Sequence, residues 1–266
     1  MLRASLLFFI LCFIGVSAHG QTMAEISAQL RSNTWLDREK AFHVLANRPP
    51  VSRAEAEAAI VTLLQTENSP DSTPAIDPDV ANRTDHDGPL DYERYVSALL
   101  NSVMEIADRE PQRSDVWRAL LDTRGYGAPS KLSLWFAKHG DKTANYFLGA
   151  ARSGAAGVSF QETAITVLAE MIAFERSPAT KHTLASSDVQ LLEETIRSPQ
   201  SSSTVGVRME AIKALGEFGT VADLQMLDRI AATDSYSEDG IYFYRIVARF
   251  AAQAIRTRIT APTTAK

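Results

Sequence analysis

The stretch VGVRMEAIKALGEFGTVADLQMLDRIAA, residues 205–232, decides the fold class. Val207, Ala211 and Leu215 fall on one face of a first helix, and Leu224, Leu227 and Ile230 on one face of a second. Gly216 and Gly219 mark the turn between them. Two short amphipathic helices joined by so few residues must run antiparallel, so the segment predicts a helix hairpin.

The same register recurs outward along the chain. Weaker copies stand at 35–46 (WLDREKAFHVLA), 160–171 (FQETAITVLAEM) and 244–255 (YRIVARFAAQAI). Their aligned alanines, Ala164, Ala211 and Ala251, are 47 and 40 residues apart. The small Ala, the paired helices and this spacing resemble the HEAT repeat of the armadillo-type solenoids, whose period is about 40–47 residues. The resemblance is strongest over 205–232, and 68–89 and 110–158 depart from it. It implies an all-α fold, a solenoid of stacked antiparallel hairpins. It also implies an ion pair between an Arg early in the first helix and an Asp at the start of the second, here Arg208 and Asp223.

Between Leu30 and Ile259 apolar residues return every three or four positions. Helices are expected at 23–32, 35–46, 52–66, 90–109, 114–122, 130–139, 141–153, 160–176, 187–197, 205–218, 220–233 and 240–259. Capping boxes are expected at Ser52/Glu55, Ser159/Glu162, Ser187/Gln190 and, as a variant, Thr220/Asp223. Stops fall at Asn47 to Pro50, Gly125, Gly140, Gly154, Ser177-Pro178, Ser198-Pro199 and Gly219, through left-handed backbone or a missing amide hydrogen. The helix ending at Ile259 has no following mate and is expected to cap the array.

The first twenty residues, MLRASLLFFILCFIGVSAHG, place Arg3 before an apolar run from Leu6 to Val16 that closes on Val16, Ser17 and Ala18. This is the pattern of a secretory signal peptide over 1–18, with cleavage after Ala18 or Gly20. The run is well short of the roughly 20 residues that cross a bilayer. Leu11 before Cys12 breaks the lipoprotein pattern. Cleavage removes the single cysteine, so the exported chain, periplasmic or secreted, must be held by apolar packing without disulfides. The domain is expected over 23–259, with a mobile acidic loop at 68–89 and a disordered tail at 260–266.

Against 27 Lys and Arg stand 32 Asp and Glu, and both signs are interspersed. That balance argues against a nucleic-acid partner. No later stretch has membrane-spanning length. None of His19, His43, His86, His139 and His182 lies in HExxH or beside a glutamate, so neither a zincin site nor the His-Glu iron sites of some HEAT-like enzymes is indicated. His19 as a new amino terminus would suit copper oxygenases, which resemble β-sandwiches, and this chain is helical. Asp85-His86-Asp87-Gly88 is faintly like a calcium loop, but Arg83 occupies an early ligand place and Glu93 falls one residue short. Asn82-Arg83-Thr84 is a glycosylation sequon, of use only in a eukaryotic secretory pathway. Neither GxSxG nor a phosphate-cradling glycine loop is present. No catalytic residue, metal ligand or cofactor is assigned.

Aromatics beside arginines offer the better clue, because interfaces concentrate binding energy on such groups. Trp117, Arg124 and Tyr126 in the irregular middle, and Tyr236 near the end, are the candidate partner-binding residues. The expected function is a non-catalytic scaffold holding a protein or peptide partner on a helical-repeat surface. The alternative is an enzyme or small-ligand-binding protein whose site is assembled from residues far apart, with His139 or His182 in a deep polar pocket.

Overall fold

In the computed structural model, residues 21–32, 34–47, 52–68, 88–123, 130–153, 157–198 and 204–260 are described. The signal segment, most of the acidic loop with its calcium-like Asp85 and Asp87, the stops at Gly125 and Gly154, the candidates Arg124 and Tyr126, and the tail from 261 lie outside them. Among the described residues the protein is all-helical, with one isolated antiparallel bridge between Glu238 and Ile241. The helices are α1 (Met23–Leu30), α2 (Trp35–Asn47), α3 (Arg53–Glu67), α4 (Gly88–Arg109), α5 (Ser114–Leu121), α6 (Ser130–Lys138), α7 (Gly140–Ser153), α8 (Val158–Arg176), α9 (Ser186–Arg197), α10 (Val205–Phe218), α11 (Val221–Thr233) and α12 (Phe243–Thr260). The chain divides into two compact units, one ending at Thr123 and the other beginning at Arg124.

In the first unit α2 packs on α1, α3 and α4, and α5 packs on α3 and α4. Ile26, Phe42, Leu64, Leu99, Val103 and Leu120 are buried in its core. A polar knot sits within it. Arg38 donates to both Glu67 oxygens at 2.5 and 3.2 Å and to the Ser32 carbonyl at 2.8 Å. The Tyr92 and Tyr95 hydroxyls each donate to Glu67 at 3.0 Å, with Trp35 against both rings. Burial, reinforced by the Glu67 carboxylate, pushes the Tyr95 phenol up, so it stays a donor. Buried charges persist only when paired and hydrogen-bonded, and both ends meet that condition.

In the second unit α8 packs against α6, α7, α9 and α10, while α12 packs against both α10 and α11. Ala164, Ala211 and Ala251 are all buried. A Cβ added to Gly216 would stand 3.1 Å from the Ala251 Cα, so α10 and α12 meet where both side chains are minimal. Arg258 closes this seam by donating to the carbonyls of Gly216, Glu217 and Gly219 at 2.6–2.9 Å, satisfying the open end of α10.

Capping boxes form at Ser52/Glu55 and Thr220/Asp223, and one more, Thr22/Glu25, starts α1. The other two expected starts differ. Helix α8 begins at Val158 after Gly157, whose φ of 93° needs a glycine, and α9 begins at Ser186 with Ala185 as its cap. Ser159 and Ser187 therefore lie inside the first turns. Gly219 ends α10 with φ −56°, not in the left-handed region. Space demands the glycine there, since a Cβ would meet the Leu215 carbonyl oxygen at 2.4 Å and the Ile255 Cδ1 at 2.7 Å. Helix α12 starts later than expected, because Asp239 and Gly240, both at positive φ, reverse the chain between the mutually bonded Glu238 and Ile241.

Candidate functional site

Two helices of the second unit frame an open cleft of about 210 Å³. Thr166, Ala169, Glu170 and Ala173 of α8 form one wall, and Glu210, Lys213, Ala214 and Glu217 of α10 the other. Each wall uses the spacing i, i+3, i+4, i+7, the solvent-side stripe of a helix whose opposite stripe is core. Alanines line it because α8 and α10 pack closely.

The electrostatics of the cleft are unbalanced. Lys213 donates to Glu210 at 2.6 Å. Glu170 and Glu217 have no ion pair among the described residues. Burial, with the Glu217 carboxylate adding to it, pushes the Glu170 carboxyl above the ordinary glutamate range. A cation between the two would offset both effects by its attraction for the carboxylates. In the alignment that sets Ala164 over Ala211, Glu170 falls on Glu217, so the two occupy equivalent positions of the pattern. Nothing in the sequence alone shows that the equivalent faces of α8 and α10 stand side by side.

Of the residues singled out from the sequence, Trp117 is a buried residue of α5 in the first unit. Tyr236, in the second, is half-buried, its ring 5.0 Å from that of Tyr244. The two belong to different units. The His139 ring is tilted against that of Trp135 with centroids 4.5 Å apart, and His182 is largely exposed with Nδ1 3.3 Å from Glu175. Neither lines the cleft. Among the described residues no group of three or more His, Cys, Asp and Glu could hold a metal ion.

The expected pair of Arg208 with Asp223 does not form. Asp223 accepts from Arg197 at 3.0 and 3.2 Å and from the Thr220 amide at 2.8 Å. Burial opposes its ionisation, but Arg197 and Thr220 outweigh it and hold the carboxyl below the ordinary aspartate range. Arg208 instead reaches Asp234 beyond the far end of α11 at 2.5 Å and lies 4.2 Å over the Tyr244 ring. The reason is position: Asp223, in the first turn of α11, stands within reach of Arg197 at the end of α9, whereas Arg208, in the first turn of α10, stands within reach of Asp234 just past the end of α11. Phe218 takes cations from both Arg176 and Arg197, at 5.7 and 5.4 Å, and thereby joins the ends of α8, α9 and α10.

No helix among the described residues is long and apolar enough to cross a membrane. No protein-family model, curated protein or solved structure matches the chain.

Proposed function

We propose that this chain is an exported, non-catalytic binding scaffold, a HEAT-like α-solenoid that holds a protein or peptide partner in the cleft between α8 and α10. One observation carries the reading: an open cleft of about 210 Å³ with an alanine floor and two carboxylates lacking a cation. Its volume suits one inserted side chain and falls below the roughly 300–1,000 Å³ usual for small-molecule sites. Its charge selects a lysine or arginine of the partner, whose cation sits between Glu170 and Glu217. Export rests on the leader at 1–18, and the repeat assignment on the aligned alanines.

The test is photocrosslinking from a benzoylphenylalanine at Thr166 in the native exported fraction, beside the Glu170→Gln/Glu217→Gln double variant. A defined protein or peptide captured by the first and lost in the second is the expected result. Capture that ignores the double substitution would remove the cleft from the function.

A further inference from the structure

Helix α12 is apolar on two opposite sides. Tyr244, Ala248, Ala251, Ala252 and Ile255 are buried against α10 and α11. Tyr242 stands just ahead of the helix, and at intervals of four follow Ile246 and Phe250; the three are 41, 41 and 71 % exposed. At 100° per residue this ridge lies opposite the buried stripe. Only one side of α12 is covered, and on the other the exposed Ile246 and Phe250 form an apolar step that Gln253 and Thr257 continue as polar residues.

The flank of the ridge is cationic. Helix α12 carries four arginines beside this face or at its end and no acidic residue. Three are engaged within the chain: Arg256 with Asp228 at 2.7 Å, Arg245 with the Asp234 carbonyl at 2.6 Å, and Arg258 with the end of α10. Arg249, exposed and next to Phe250 in sequence, has no ion pair or hydrogen bond among the described residues.

We infer that the outer face of α12 docks an acidic amphipathic helix of a partner protein. The occupant is a helix because the ridge runs in steps of four, the row that fits between the corresponding rows of another helix. It is acidic because Arg249 needs a counter-charge when that face is covered. A second copy meeting the same face about a two-fold axis would bring arginine toward arginine. This surface is distinct from the α8–α10 cleft and is probed by different variants, so either assignment can fail without the other.

The experiment uses the full chain and two labelled amphipathic peptides of roughly 20 residues, a length that supports a helix. Both carry leucine on one face; one is flanked by glutamate, the other by lysine. Fluorescence anisotropy should show saturable binding of the glutamate peptide, at least about tenfold tighter than the lysine peptide. Phe250→Asp should abolish it with the melting temperature unchanged, since Phe250 is exposed, and Arg249→Glu should reverse the preference. Equal affinity for both peptides, or binding that survives Phe250→Asp, overturns the proposal. So does a Phe250-dependent dimer in sedimentation, or Phe250-dependent binding to anionic phospholipid vesicles without peptide binding.

Discussion

Glu67 and Arg38 show how burial ranks the charged residues. Their side chains are almost wholly out of water, and Glu67 also holds two tyrosine hydroxyls. Glu67→Ala leaves Arg38 buried and unpaired, a loss of about 3–5 kcal/mol. Arg256→Ala breaks a pair whose partners are both about half exposed, and costs less than about 1 kcal/mol. Urea melts of the two variants check the order; equal losses would show that the Arg38 knot is not closed to water. Glu170 behaves in the opposite sense. Its raised carboxyl pKa means that the folded protein carries an unfavourable charge at neutral pH, which is relieved as the pH falls through that pKa. Glu170→Gln should therefore be slightly more stable than the natural protein at pH 7, by under about 1 kcal/mol after allowance for solvent. The gap should close in acid. Thermal melts across pH read both.

At the scale of elements, the contact of α10 with α12 and the turn after α10 are the least forgiving. Ala211 and Leu215 are fully buried. Leu215→Ala should cost about 2–5 kcal/mol by leaving a cavity. Ala211→Leu should cost about 1–3 kcal/mol by overpacking. Gly219→Ala drives a methyl group against the backbone carbonyl of Leu215, which cannot swing aside, so a loss of about 1–3 kcal/mol is expected without any left-handed backbone to relieve. Denaturant midpoints measure all three, and a neutral Gly219→Ala would show that α10 can shift against α12. The periodicity located these helices to within a few residues, because burial of one stripe is a local property. It misplaced the starts of α8 and α9, where a serine three residues before Glu or Gln was available but the chain had already turned helical. Local competition among caps is decided by where the preceding turn delivers the chain.

For the molecule as a whole, acid is the natural probe. Glu57, Glu175 and Asp223 are buried carboxylates whose partners outweigh desolvation and hold their pKa values down, and those of Asp37 and Asp115 are lowered by side-chain hydrogen bonds. Each therefore adds stability that is fully present above the ordinary carboxylate range and is lost as the pH falls through the lower folded value. The melting temperature should decline from about pH 4.5 downward, and Asp223→Asn should flatten that decline while lowering stability at neutral pH. A profile unchanged in Asp223→Asn would mean that Arg197 and Thr220 do not hold the charge.

By itself the sequence determined the all-helical class, nearly every helix, and the buried alanines. All three follow from side-chain spacing at 3.6 residues per turn and from punctuation within a few residues. Only the tertiary structure decided which charges meet: Arg38 with Glu67, Arg197 with Asp223, and Arg208 with Asp234 in place of the expected Asp223. It alone set Glu170 beside Glu217 and left Phe250 in water. These outcomes depend on the distance and rotation between helices far apart in sequence. No local pattern encodes those quantities, because several side chains on each helix are equally able, until it packs, to face the same neighbour.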